Sequence, residues 1–324
     1  SPARLVILDE PTSSLDAIRA EQLLKFVRTF VREGGSCVLI SHLLGEILST
    51  ADRIVVMRDA TVVDIRRATE FDRGSLVVAM GSVAEEDHSD SRHGSRRTTG
   101  EPVVAAVSGD APEGPRLQAH PGEIVGLAGL GGHGQSDMLM RIFDAAGRRE
   151  RDVAVAGRVA LVAGDRQNDG VFPLWSITRN ISIRSLRRML GCGLIQPKQE
   201  DEFAAKWRKR IGIRTDDMNN NILSLSGGNQ QKALFARAFG SDASIMLMDD
   251  PMRGVDVGTK QEVYGMIREE AANGRTFIWY TTEMDELRHC DHVYVFRDGG
   301  IVADLPRAEM TEQKVLQASF LEEE

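Results

Sequence analysis

Long apolar runs are missing from this chain. No stretch approaches the roughly 18 residues that a membrane-crossing helix needs, so any membrane association is expected to go through partners. The start also lacks the basic-then-apolar pattern of a secretory leader. Cysteine is scarce: Cys37, Cys192 and Cys290 are the three among 324 residues. An odd number with no Cys-x-x-Cys pair argues against a disulfide framework or a zinc ribbon and fits a reducing, cytosolic setting. A basic excess is missing as well. The formal net charge of −8 disfavours a nucleic-acid partner, which selects for a basic stripe. Trp175, Trp207 and Trp279 share no common face, so they read as packing residues and not as base-stacking platforms. No Cys or carboxylate constellation with ligand spacing surrounds His88, His93 and His120, so they read as solvated linker histidines and not as a metal site.

What is present is length enough for about two domains, and a repeat. LVILDEPTSSLDA at Leu5 to Ala17 recurs as IMLMDDPMRGVDV at Ile245 to Val257. SCVLISHLLGEI (Ser36 to Ile47) matches TFIWYTTEMDEL (Thr276 to Leu287), and ADRIVVMRDA (Ala51 to Ala60) matches CDHVYVFRDG (Cys290 to Gly299). Two copies of strand, turn, helix, strand, helix, strand, about one domain length apart, predict two homologous α/β domains and not a solenoid. The first copy holds only a C-terminal half. RLVIL (Arg4 to Leu8), bounded by Asp9, reads as a buried strand of a parallel sheet. Such a strand needs neighbours on both sides, so residues before Ser1 are expected. Between the copies, Gly81 to Pro115 is polar and rich in Gly, Ser, Arg and Glu, and it reads as a linker too poor in apolar surface to order itself. The expected division is 1–80 for the first half-domain, 81–115 for the linker and 116–324 for a complete second domain.

The second domain opens on GEIVGLAGLGGHGQSDMLMRIF (Gly122 to Phe143). An apolar strand, a turn from Gly129 to Gly134 and a following helix form the layout that cradles phosphates on backbone N–H groups at a helix N-terminus. Gly129, Gly132 and Gly134 allow the close backbone approach. A phosphate loop ends in Gly-Lys-Ser/Thr, with Lys reaching the phosphates and the hydroxyl facing magnesium. Here Gln135 stands in the Lys position, and Ser136 keeps the hydroxyl. LSGGNQQK (Leu225 to Lys232) is the most specific motif of the chain. Ser226, Gly227 and Gly228 open a helix with a hydroxyl and free N–H groups suited to an anion.

With the apolar strand ending in Asp249, the PMRGVDVG turn (Pro251 to Gly258) and the GDRQNDGVFPLWSITRNISI segment (Gly164 to Ile183), these motifs resemble the second domain of the tandem ATP-binding-cassette subunits of bacterial ribose- and galactose-type sugar importers. DEPTSSLD and ISH are shared more widely among cassette ATPases. The resemblance covers the chain except the linker. It implies an α/β fold of P-loop NTPase type, ABC-type nucleotide-binding domains with a mixed sheet, flanking helices and a helical subdomain. It also implies ATP and Mg2+ as cofactors, and uptake of a small solute, a sugar, as the task driven by ATP hydrolysis. Two permease subunits and an extracytoplasmic solute-binding protein are the implied partners, with the chain peripheral on the cytoplasmic face of the plasma (inner) membrane and no nucleic acid involved.

The resemblance also assigns residues. In one composite site Asp9 would hold the metal, Glu10 would polarise the attacking water and His42 would contact the γ-phosphate, with Ser226, Gly227, Gly228 and Gln230 facing the nucleotide from the other domain. In the other site Gly129, Gly132, Gly134, Gln135 and Ser136 would hold nucleotide, Ser136 and Asp249 the metal, and Asp250 would take the place of the catalytic Glu. Asp16 and Asp256 fall at the D-loop positions. This second site departs from the pattern at Gln135, Asp250 and Thr282, so weak or structural nucleotide binding is expected there and hydrolysis at the site of Glu10. Two rivals remain open: a truncated, non-hydrolysing transporter-associated fragment, and a soluble cassette protein acting on the ribosome or nucleic acid.

Overall fold

The computed structural model describes residues 4–9, 11–12, 17–41, 44–58, 61–79, 100–108, 115–146, 148, 152–191, 193–253, 255 and 257–319. The chain divides into two compact units, Ser1–His93 with Asp256–Gln261 and Gly94–Val255 with Glu262–Glu324.

The first unit runs β1 (Leu5–Asp9), α1 (Ala17–Arg32), β2 (Ser36–Ile40), α2 (Leu44–Thr50), β3 (Arg53–Arg58), β4 (Thr61–Arg67) and α3 (Arg73–Ala79). β1 and β2 pair in parallel from Leu5↔Ser36 to Asp9↔Ile40, while β3 and β4 form a separate antiparallel ribbon. Leu24 and Val27, three residues apart on α1, are buried, the spacing of one helical face. The helix ends at Gly34, whose φ of 93° is a left-handed stop. A small cluster of Leu44, Ile54, Val56, Ala68, Phe71 and Leu76 joins α2, β3 and α3. The expectation that Arg4 to Leu8 is buried is corrected here: Leu5 and Ile7 are 57% and 63% exposed. Among the described residues β1 pairs with β2 alone, so one face of the two-stranded ribbon meets no second layer.

The second unit contains β5 (Val104–Val107), β6 (Arg116–Ala119), β7 (Ile124–Gly129), α4 (Gln135–Ala145), β8 (Val153–Val155), β9 (Val159–Val162), α5 (Ile177–Ser182), the short pair β10 (Leu190–Gly191) and β11 (Leu194–Ile195), α6 (Pro197–Ile211), α7 (Gly227–Gly240), β12 (Ile245–Asp249), α8 (Val257–Ala272), β13 (Thr276–Tyr280), α9 (Met284–Leu287), β14 (His292–Arg297), β15 (Gly300–Pro306) and α10 (Glu312–Ser319). Six strands form one sheet in the order β15-β14-β7-β13-β12-β9. All neighbours are parallel except the β14–β15 hairpin. Alternate side chains of each central strand enter different cores, as the two-residue strand period requires. Met246, Met248, Phe277 and Trp279 join the helices of one face. Ile245, Leu247, Ile278 and Tyr280 join α4 and the small antiparallel sheet β6-β5-β8 on the other.

β5 lies inside the stretch 81–115 expected to be a linker. Val104 and Ala106 are buried, and the strand pairs with both β6 and β8. The apolar run Val103 to Val107 is short, and the polar composition around it hides it; tertiary pairing supplies its order. The ordered second unit therefore begins upstream of residue 116. Among the described residues no helix is long and apolar enough to cross a membrane.

Candidate functional site

The glycine-rich turn sits where β7 leaves the sheet and α4 begins. Gly129 (φ 128°), Gly132 (φ 85°) and Gly134 (φ 97°) all have backbone angles that a side chain resists. At Gly129 a Cβ would also strike the Phe296 carbonyl oxygen, and at Gly132 nothing lies within 4 Å of one. Gly134 caps α4 in a left-handed conformation with no side chain on the first-turn N–H groups. Those N–H groups and the positive end of the helix dipole therefore point at open space, which suits an anion.

Gln135 does not face that space. It is 1% exposed, and its Nε2 donates to Ala128 O at 3.3 Å and Leu130 O at 3.0 Å. It braces the loop from beneath as a neutral amide and brings no cation to a phosphate. Ser136 Oγ donates to Asp249 Oδ1 at 2.7 Å, joining the start of α4 to the end of β12. Burial holds the Asp249 carboxyl above its usual range, the carboxylates of Asp137 and Asp169 add to that, and the Ser136 bond opposes it. A hydroxyl and a carboxylate side by side at the foot of an anion cradle are the oxygen donors a magnesium ion takes. The donor set fits a magnesium-bound polyphosphate.

Asp250 follows with φ 43°, uncommon for a residue other than glycine and a sign of stored strain. Its N–H bonds Tyr280 O at 2.8 Å, and Thr282 Oγ1 donates to its Oδ2 at 3.2 Å. Burial, with the Glu283 carboxylate nearby, pushes its carboxyl up to about 6. Asp250 and Thr282, two of the departures seen in the sequence, are thus direct partners.

The second motif forms a separate group. α7 starts at Gly227 with Ser226 as its cap residue, and the Ser226 hydroxyl makes no capping bond. That hydroxyl accepts from Asn229 Nδ2 at 3.0 Å, so it is turned sideways and the first-turn N–H groups remain open. Gln230 is buried and donates to Leu225 O at 2.9 Å, which gives it a bracing role. A Cβ at Gly227 would lie 3.0 Å from Arg166 Nη2. Arg166 opens a wide turn, Arg166–Gly170, capped by Asp165, which accepts from the N–H groups of Gln167 and Asn168. Arg237 of α7 ties this turn to the helical region by donating to Gly170 O and Asn180 O, both at 2.6 Å, and to Asn180 Oδ1 at 2.8 Å. Neither arginine was singled out in the sequence; only the DR dipeptide of Gly164 to Ile183 hinted at Arg166.

Asp9 stands exposed at the end of β1. Glu10, Asp16, His42 and Asp256 lie outside the described residues. Among the described residues no hydrogen bond joins the Gly129–Ser136 group to the Ser226–Gly228 group.

A family model described as ABC transporter matches residues 113–253. The chain is 33% identical over 339 residues to the arabinose import ATP-binding protein AraG 1 of Burkholderia cenocepacia, covering 98% of this chain and 67% of that protein. The chain belongs to the ABC transporter family. The ribose import ATP-binding protein RbsA 2 of Burkholderia ambifaria is 34% identical, with 97% of this chain and 66% of that protein covered. The RbsA 2 protein of Rhizobium meliloti is 32% identical, with 97% and 65% covered. The chain thus spans about two thirds of the length of these curated relatives. A dimeric bacterial ABC transporter cassette superposes with a TM-score of 0.52 at 18% identity, over 64% of this chain and 97% of that one. That likeness shows the fold, and the family match over residues 113–253 puts an ABC cassette of P-loop NTPase type in the second unit, with a mixed sheet, flanking helices and a helical region between β9 and β12.

Proposed function

We propose that the chain is part of the ATP-binding, ATP-hydrolysing subunit of an importer that takes up a small solute, a sugar. The observation that carries this reading is the Ser136–Asp249 hydrogen bond beneath a loop of left-handed glycines. It occurs in a chain related over nearly its whole length to sugar import ATP-binding proteins. The first-turn N–H groups of α4 would receive the triphosphate, and Ser136 and Asp249 would hold a Mg2+ ion. A bound magnesium neutralises charge on the phosphates. The open turn at Ser226, Gly227 and Gly228 receives the phosphates of a nucleotide carried by a facing cassette. Two permease subunits and an extracytoplasmic binding protein are the partners, and the protein is peripheral on the cytoplasmic face of the inner membrane.

The cassette of the second unit retains nucleotide more than it turns it over. Gln135 supplies no cation, and Asp250, a methylene shorter than glutamate and held by Thr282, is set back from an attacking water. Misplacement of about 1 Å lowers a rate by roughly 100-fold. Hydrolysis is assigned to the cassette with Glu10 and His42, and the second cassette portion includes β5 at Val104–Val107. ATP turnover in the full-length protein tests this. Glu10→Gln abolishes it and Asp250→Asn lowers it only slightly. The opposite ranking overturns the division of labour, and loss of nucleotide binding in neither Ser136→Ala nor Asp249→Asn overturns the assignment of the loop.

A further inference from the structure

The glycine-rich loop is tied to a second element, the turn between β14 and β15. His133 lies between the left-handed Gly132 and Gly134. Its carbonyl accepts the Gly299 N–H at 3.2 Å, and its ring Nδ1 bonds the Asp298 N–H at 3.0 Å. A backbone N–H can only donate, so Nδ1 carries a lone pair and the ring proton resides on Nε2. Asp298 (φ 50°) and Gly299 (φ 82°) are the two central residues of the turn, the signature of a tight hairpin whose central residues are both left-handed. Their N–H groups stand outside the strand ladder, which closes at Arg297↔Gly300. Gly134 packs on the same turn, where a Cβ would lie 3.0 Å from Gly299 Cα. The Asp298 carboxylate is 3.8 Å from Nδ1, beyond hydrogen-bond reach. Among the described residues it is the carboxylate within 4 Å of Nδ1. Arg297, next along the hairpin, aims Nη1 at Ala318 O, 3.5 Å away.

We propose that His133 is a positioning residue that holds the loop in its anion-binding form only while its imidazole is neutral. The inference rests on the reading of this loop as a nucleotide site and assigns a regulator to it. Protonation puts an N–H on Nδ1, where it faces the Asp298 N–H head-on, while the neighbouring carboxylate attracts it. The ring then exchanges the amide for the carboxylate. The tie to the fixed backbone of the turn is replaced by one to the Asp298 side chain, which is 75% exposed, and the left-handed path through Gly132 and Gly134 loses its rigid outer support. The Gly299 N–H bond to the His133 carbonyl is then the backbone tie that remains between loop and turn.

The experiment uses the whole chain and two readouts. Amide exchange over residues 296–300 is compared between variants at a fixed pH, and Mg-ATP affinity is measured by calorimetry from about pH 8 to about pH 5. His133→Ala is expected to speed exchange at the turn and to weaken binding about two- to tenfold, the size of one lost hydrogen bond. His133→Asn, whose Oδ1 can accept the same N–H and cannot be protonated, is expected to restore both. It also removes the fall in affinity toward acid pH that the native chain shows. Unchanged exchange in His133→Ala, matching pH profiles for the native and Asn chains, or affinity that rises as pH falls through direct contact of the ring with phosphate would each overturn the proposal. Exchange that responds as expected, in chains that bind no Mg-ATP at any pH, supports the tie between loop and turn and refutes the nucleotide reading instead.

Discussion

The two units carry the same repeat and bury it differently. Ile278 of β13 is fully buried, whereas Val38, its counterpart in β2, is 48% exposed. In the second unit β7 lies between β13 and β14 and makes one sheet of the repeat's strands. Among the described residues of the first unit no strand joins β2 to β3, and the repeat remains two ribbons. A second pair makes the same point with polar groups. Glu286 is 1% exposed and accepts from Thr281 Oγ1 at 2.7 Å and Tyr264 OH at 3.1 Å. Glu46, at the same place in the repeat, is half-buried and accepts from Thr12 Oγ1 at 2.8 Å and Ser41 Oγ at 3.3 Å. Local sequence sets the strand and the hydroxyl–carboxylate clasp in both; the neighbouring strand sets how much each is worth.

The sharpest test of this contrast is a matched pair of truncations. Ile278→Ala is expected to cost about 2–5 kcal/mol, as large-to-small changes in a packed core do. Val38→Ala should stay within about 0.5–1 kcal/mol, because little surface is buried there. All three tryptophans lie in the second unit, so urea unfolding followed by tryptophan fluorescence should shift for Ile278→Ala and not for Val38→Ala. Equal costs by circular dichroism would break the comparison.

The carboxylates give a smaller effect. Glu286→Gln should cost about 1–3 kcal/mol because it leaves buried hydroxyls without their charged acceptor. Glu46→Gln should cost less than half of that, since water can replace the lost partner. Thermal unfolding of both variants checks the ranking.

Smallest is a pH effect in the second unit. Burial alone would raise the Glu123 carboxyl, but the His292 hydrogen bond and charge, with the His120 N–H and ring, bring it below its ordinary value. A folded-state pKa below the unfolded one stabilises above the unfolded value and loses that contribution as pH falls through the folded one. Glu123→Gln should therefore be less stable than the native chain at neutral pH, with the gap closing below about pH 4. A gap that persists at low pH would show packing, and not charge, to be the cause.

Much of the site was legible in the sequence because its parts are local. The turn Gly129 to Gly134 needs left-handed backbone that glycine allows, and the structure supplies it at each of the glycines named. The start of α7 at Ser226 to Gly228 likewise follows from residues adjacent in the chain. The strand β5 was hidden because four residues carry no clear period until β6 and β8 flank them. The Ser226 hydroxyl, read as an anion donor, turns to accept from Asn229 Nδ2, a local contact that spacing does not express. Arg166 and Arg237 were missed for a related reason: their partners lie 61 and 57 to 67 residues away.

The sequence by itself determined the repeat, the phosphate-loop and signature turns, and the neutral Gln135, because these depend on residue type and near neighbours. Only the tertiary structure decided that Gln135 points beneath the loop, that Asp250 is held by Thr282 and that His133 grips the turn at Asp298. Two of these contacts join residues 32 and 165 positions apart. Their geometry is fixed when the sheet brings strand ends together, and no local preference encodes which strand ends will meet.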